Sequence, residues 1–236
     1  MKNTFVTAII VAAGNSTRMG GSISKQFISI KEKTVIEHTL TAFENCNAID
    51  EVVIVARQQD IAKIKEIADK TPFKKVKNIT TGGDTRGDSV SNGIKASSVH
   101  TTHFAIHDGA RPMIKIADIE AVVKKAIEVK SATLGVIVKD TIKTVDSENL
   151  VVSTPNRDSL RGIQTPQVFE KELYISALAK AESEGKNFTD DCQLIENYGD
   201  RVQVVLGSES NIKITTPYDV IVAESILNSR ENGDNI

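Results

Sequence analysis

Short apolar runs rich in β-branched residues alternate along the chain with longer stretches whose apolar positions recur at helical spacing. Residues 5–11 form the first run, apolar almost throughout, as suits a strand buried on both faces. Residues 35–43 carry helical spacing, 51–56 are a second β-branched run, and 59–69 are amphipathic. Residues 76–80 read as a third strand ahead of the Gly82-Gly83 break. A helix over 89–97, a strand over 103–107, a helix over 116–129 and a strand over 133–138 complete the series. This rhythm predicts an α/β fold, a mostly parallel sheet with helices on both faces and right-handed crossovers. Ligands of such sheets sit beyond the C-terminal ends of the strands. The loops after Val11, Thr80 and His107 should therefore gather on one edge.

The rhythm changes at Asp140. Residues 141–145 and 150–154 are extended runs around the turn-like Asp146-Ser147-Glu148-Asn149, which predicts an antiparallel hairpin projecting from the sheet. Two strands alone are marginal, so this arm is expected to pack on a partner subunit. Helices follow over 171–184 and 190–198, then a strand over 201–206 and a last helix over 218–227, with a frayed polar tail over 228–236. No repeat or linker interrupts the chain. It is read as a single domain over residues 1–236 with a β-arm at 140–157.

Composition narrows the chemistry by exclusion. The formal net charge of −2 gives no bulk basicity for nucleic acid or an anionic membrane. Any phosphate site must be a local cluster of positive groups. Cys46 and Cys192 have neither metal-site spacing nor a neighbouring His, and read as reduced thiols of a cytoplasmic protein. No run reaches the roughly 18 apolar residues of a membrane span. The N-terminal apolar run passes directly into Gly14-Asn15-Ser16-Thr17-Arg18 and is a strand rather than a signal peptide.

Three loops carry candidate chemistry. The first, Ala12-Ala13-Gly14 through Gly20-Gly21, is followed by Lys25-Gln26-Phe27. Its small residues allow close backbone approach, its amides can bind phosphate oxygens, and Arg18 and Lys25 add charge. It is no Walker loop, because Gly21 rather than Lys follows Gly20, and the absence of GxGxxG disfavours a dinucleotide-dependent dehydrogenase. The second, Thr81 to Ser89, offers paired glycines and short polar groups for reading a base edge; Ser89 suits a helix N-cap and Asp84 a turn. The third, His107-Asp108-Gly109-Ala110-Arg111-Pro112, sets a carboxylate at a strand end, where it can hold a divalent cation bridging phosphates. Arg111 either pairs with Asp108 or binds phosphate. A solvated turn, a turn-stabilising Asp84 and a purely structural Asp–Arg pair are the plainer readings of the three. Further on, Arg157 lies past the hairpin, before Gln164-Thr165-Pro166-Gln167, and Lys213 lies between apolar neighbours whose strand alternation would set its direction.

In chain order, AAGNSTRMGG with KQF, GGDTRGDSVSNG, HDGARP, KDTIK, QTPQVF, TDDCQLIE and NIKITTPYD together resemble the 2-C-methyl-D-erythritol 4-phosphate cytidylyltransferases of isoprenoid synthesis, from about Thr7 to Leu227. The resemblance implies a Rossmann-like nucleotidyltransferase fold with a protruding β-arm and a homodimer joined through it. It implies a reaction of CTP with a sugar-alcohol phosphate, methylerythritol phosphate, that releases pyrophosphate with Mg2+. It assigns Arg18 and Lys25 to the triphosphate in the transition state, and Arg157 and Lys213 to the acceptor phosphate. Ala12, Ala13, Gly14, Gly83, Asp84 and Ser89 fall to the CTP shell, with Ala110 near the ribose and Arg111 beside it. Asp108 falls to the metal, and Thr141 and Thr165 to the acceptor. Asn15, Ser24 and Gly109 depart from the family pattern, and none of the three removes a charge. Two readings compete: the same chemistry on ribitol 5-phosphate, and a non-catalytic nucleotide-binding protein. KDTIK, TDDCQLIE and HDGARP weigh against the first, and retention of all four basic residues against the second.

Overall fold

A computed structural model describes residues 4–14, 24–71 and 73–233. Seven strands form the main sheet: β1 (Val6–Ala12), β4 (Glu51–Ala56), β5 (Val76–Thr81), β6 (His103–Asp108), β7 (Ser131–Ile137), β10 (Arg161–Glu170) and β11 (Gln203–Leu206), in the order β11-β7-β10-β6-β1-β4-β5. Six of the seven run as the alternation predicts, with parallel pairings of β1 to β4 and β6, β4 to β5, and β11 to β7. β10 is the exception. It lies antiparallel between β6 and β7, with a register break between Ile163 and Gln167. Two short antiparallel pairs stand apart: β2 (Ser29–Ile30) with β3 (Lys33–Thr34), and β8 (Thr144–Val145) with β9 (Val151–Ser153). The second pair is the expected hairpin arm, and its strands are exposed throughout.

Period-two alternation divides the core between the two faces of the sheet. Val6, Ala8, Ile10 and Ala12 of β1 face one cluster, with α1 (Val35–Glu44), α2 (Ile61–Lys70) and α4 (Ile116–Val129). Ile9 faces the other, with α3 (Arg86–Lys95), α5 (Lys171–Ser183) and α6 (Asp191–Tyr198). The free, buried Cys46 and Cys192 belong to opposite clusters and cannot meet. A third cluster joins Ile30, Val35, Met113 and Ile214 to α7 (Pro217–Glu231).

Two helix boundaries differ from the sequence reading for a physical reason. α3 begins at Arg86, because Thr85 and Asp88 form a reciprocal capping box; Ser89 is buried inside the helix and is not its cap. α7 runs to Glu231, past the expected frayed end. Arg230 donates to the Met113 carbonyl at 2.7 Å and to Ser210 Oγ at 2.9 Å, which ties its last turn to the core. No helix among the described residues is long and apolar enough to cross a membrane.

Candidate active site

The register brings the strand ends level: Ala12 stands beside Ala56, Ala56 beside Thr81, and Val11 beside Asp108. The loops that follow β1, β5 and β6 therefore open on one edge, as expected. They enclose a cleft of about 260 Å3 lined by Ala13, Gly14, Lys25, Gly83, Asp84 and Asp108, among others. Hydrogen bonds from the loops to strand ends, and within the second loop, fix its walls. Gly82 N donates to the Ala56 carbonyl at 2.8 Å, and Gly109 N to the Val11 carbonyl at 2.9 Å. Gly83 N donates to Ser89 Oγ at 3.1 Å, and that hydroxyl donates to the Thr85 carbonyl at 3.0 Å. A Cβ on Gly82 would lie 2.4 Å from Ala13 Cβ, and one on Gly83 would lie 2.3 Å from Asp88 Cβ. Gly82 is thus required by the close approach of the first and second loops, and Gly83 by the fold of the second loop back onto the start of α3.

Asp108 is the electrostatic centre. It closes β6 with its side chain 13% exposed. Lys213 Nζ stands 2.7 Å from its carboxylate, Arg86 Nε 3.7 Å and Arg111 Nε 3.9 Å. Burial opposes ionisation here, yet Lys213 and Arg86 prevail and hold the Asp108 pKa down at about 2. Its backbone is fixed as well, since Asp108 N donates to Thr165 Oγ1 at 3.0 Å. Thr165 Oγ1 in turn lies 3.1 Å from His107 Nδ1, and His107 Nε2 lies 3.3 Å from the Arg111 carbonyl. One proton arrangement satisfies all three: the Thr165 hydroxyl donates to Nδ1, and Nε2–H donates to the carbonyl. That tautomer requires a neutral ring, and complete burial lowers the His107 pKa to about 3.

Most sequence-predicted residues meet here. Ala13, Gly14, Lys25, Gly83, Asp84, Ser89, Asp108, Ala110 and Lys213 all line the cleft. Lys25 opens a short 3-10 helix over Lys25–Phe27, and its Nζ donates to the Ile214 carbonyl at 3.2 Å. Lys213 owes its direction not to a strand but to buried neighbours in an irregular segment: Ile214 in the third cluster, and Asn211, which donates to Gln164 Oε1 and the Thr165 carbonyl. Others stay outside. Ala12 is buried in β1. Arg111 is a strut, its guanidinium donating to the Asn211 carbonyl at 2.8 Å. Thr165 stands behind Asp108 with its hydroxyl committed, and Thr141 is exposed near the arm. Arg157 sits at the arm's base, donating to the Lys139 carbonyl at 2.8 Å, and does not line the cleft. Arg18 lies outside the described residues. Arg86 was assigned nothing by sequence reasoning, yet it lines the cleft beside Asp108 and pairs with Asp191.

Among the described residues no group of three or more His, Cys, Asp or Glu could cage a metal. A lone strand-end carboxylate does fit Mg2+, which commonly binds through one or two carboxylates plus substrate phosphates. A mostly parallel sheet with Lys25, Arg86 and Lys213 around a cleft at its strand ends fits the α/β nucleotidyltransferase class, to which its solved structural neighbours belong. The family model for 2-C-methyl-D-erythritol 4-phosphate cytidylyltransferase matches residues 6–229, and the chain belongs to that family. The enzyme of that name from Clostridium botulinum (strain 657) is 43% identical over 94% of this chain and 96% of its own. The one from Caldanaerobacter subterraneus is 44% identical over 94% and 98%. Among solved structures, the 4-diphosphocytidyl-2C-methyl-D-erythritol synthase of Anaerococcus prevotii superposes with a TM-score of 0.85 at 33% identity, covering 95% of this chain and 96% of that one. The 2-C-methyl-D-erythritol 4-phosphate cytidylyltransferase of Thermus thermophilus gives 0.77 at 28% identity, covering 95% and 100%.

Proposed function

We infer that this chain transfers the cytidylyl group of CTP to 2-C-methyl-D-erythritol 4-phosphate, giving the cytidine diphosphate derivative and pyrophosphate. The observation that carries this reading is the family match over residues 6–229 together with the convergence of Lys25, Lys213 and Asp108 on one cleft. An oxygen of the acceptor phosphate attacks the α-phosphorus of CTP. The new P–O bond forms as the bond from the α-phosphorus to the bridging oxygen breaks, and pyrophosphate leaves with that oxygen. The nucleophile is already an anion, so no general base is needed. The barrier lies in bringing two anions together and in holding the charge that builds up, a task for positioning and fixed cations.

In this reading Lys25 and Arg18 bear on the triphosphate and Lys213 on the acceptor phosphate. The backbone of Ala13, Gly14 and Gly83, with Ser89 behind it, shapes the CTP shell. Asp108 would hold Mg2+, which when bound offsets phosphate charge. Arg157 is proposed to serve the acceptor site of a second copy. Support for this comes from its place at the base of an arm that exposes Val145, Leu150, Val151 and Val152 over its two sides, apolar surface suited to burial against a partner. A cytoplasmic location is proposed on the two buried free thiols. The test is pyrophosphate release from CTP: it should require the acceptor, and Arg18→Ala or Lys25→Ala should lower turnover on the order of a hundredfold. Turnover of Arg18→Ala at the wild-type rate would overturn the role given to that residue.

A further inference from the structure

The first residue of α3, Arg86, enters the cleft already held from behind. One guanidinium nitrogen donates to Asp191 Oδ2 at 2.6 Å, while Nε stands 3.7 Å from Asp108, beyond hydrogen-bond reach. Asp191 opens α6 and is 4% exposed. Its other oxygen accepts from the Tyr174 hydroxyl at 2.7 Å. Tyr174, on α5, is itself 1% exposed and set against the rings of Phe104 and Phe169. The neighbouring Asp190 accepts from Gln167 Nε2 at 2.5 Å, which fastens the start of α6 to β10. Both oxygens of a buried carboxylate are thus spent, one on a core tyrosine and one on a cleft arginine.

A buried ion pair of this kind seldom stabilises a fold more than apolar residues of equal volume would. Its cost points to a purpose beyond stability. We propose that Asp191, braced by Tyr174, is a positioning residue that aims Arg86 at the polyphosphate of the nucleotide in the cleft, a role that rests on the cytidylyltransferase reading. Arginine presents five N–H donors in a rigid fork, suited to phosphate oxygens. Asp191 takes one of them and fixes the plane of the rest. It also competes with Asp108. With Asp191 in place, the guanidinium is kept off Asp108, which keeps its 2.7 Å pair with Lys213. Without Asp191, Asp108 is the nearest carboxylate, and Arg86 closes onto it. Both the guanidinium and the carboxylate are then withdrawn from substrate.

The test is calorimetric titration with CTP in buffer containing Mg2+ and no acceptor, alongside steady-state kinetics. Asp191→Asn should weaken CTP binding and raise its KM by about tenfold, the scale of one charge-assisted hydrogen bond, with the acceptor KM within about twofold of wild type. Arg86→Ala should do the same. In the Arg86→Ala background, Asp191→Asn should change CTP affinity no further, although it still lowers the thermal midpoint. An Asp191→Asn effect that persists undiminished in that background, or that falls equally on the acceptor KM, overturns the proposal. Should Asp191→Asn fail to fold, Tyr174→Phe keeps the ion pair and loses only the brace. A loss of CTP affinity of a few-fold supports the proposal, and an unchanged affinity overturns it. Wild-type protein that binds CTP but releases no pyrophosphate would sink the transfer reaction while leaving the affinity ratios to judge Asp191.

Discussion

Replacing Lys213 with methionine removes the cation nearest Asp108 while keeping most of the aliphatic stem. Burial alone would raise the Asp108 pKa; Lys213, Arg86 and Arg111 bring it instead from 3.8 to about 2. That displacement corresponds to about 2 kcal/mol of preference for the folded, ionised state. Lys213 is the closest of the three and the one within hydrogen-bond range, but its side chain is 39% exposed and solvent screens its share. We therefore expect Lys213→Met to cost about 1 kcal/mol at neutral pH. The folded pKa lies below the unfolded one, so this contribution is fully present above about pH 4 and is lost as pH falls through about 2. Urea unfolding should show the deficit at neutral pH and a shrinking gap below about pH 4. Carboxyl-carbon NMR should show Asp108 titrating nearer 3.8 in the variant. Urea curves that coincide at neutral pH while Asp108 titrates unchanged would refute this coupling, as would a deficit that stays constant down to acid unfolding. The same variant should raise the acceptor KM.

Three further outcomes follow from the geometry. Gly83→Ala sets a Cβ 2.3 Å from Asp88 Cβ, so the loop must move and CTP affinity should fall at least about tenfold by titration calorimetry. Thr165→Val leaves Asp108 N–H and His107 Nδ1 without their partner, and should cost about 1–3 kcal/mol in urea unfolding; an unchanged midpoint would contradict the network. If Arg157 serves the partner's site, mixing inactive Arg157→Ala and Lys25→Ala proteins should restore activity to about a quarter of wild type. Half the dimers are then mixed, and one of their two sites is intact. No recovery, with subunit exchange demonstrated, would place Arg157 in its own subunit's site.

The parallel strands and their helices were legible because most of the strands are short apolar or β-branched runs set between longer stretches of helical spacing, and β1, β5 and β6 each lead into a glycine-containing loop. Asp108 and the cleft glycines could be located for the same reason, since they follow directly on those runs. β10 was not legible. Gly162, Gln164, Thr165, Pro166 and Gln167 break any apolar run and point to no element, yet they lie in a strand in the interior of the sheet. Their polarity is consumed internally: Gln164 donates to the Ser208 carbonyl, Thr165 serves Asp108 and His107, and Gln167 reaches Asp190. Arg86 escaped notice because its partner Asp191 is 105 residues distant. The adjacent Asp190-Asp191 pair, heading a helix whose first turn is buried, was the one sequence signal that called for a cation. Arg111, by contrast, was credited with nucleotide binding on the strength of its motif, and its guanidinium instead braces the loop that carries Lys213.

The transfer reaction is tested most directly by incubating the protein with CTP and Mg2+ and either 2-C-methyl-D-erythritol 4-phosphate or ribitol 5-phosphate, following pyrophosphate and the mass of the product. The family assignment predicts pyrophosphate and a cytidine diphosphate derivative with methylerythritol phosphate, at a rate far above that with ribitol phosphate. Equal or faster turnover with ribitol phosphate, or none with methylerythritol phosphate, would contradict it.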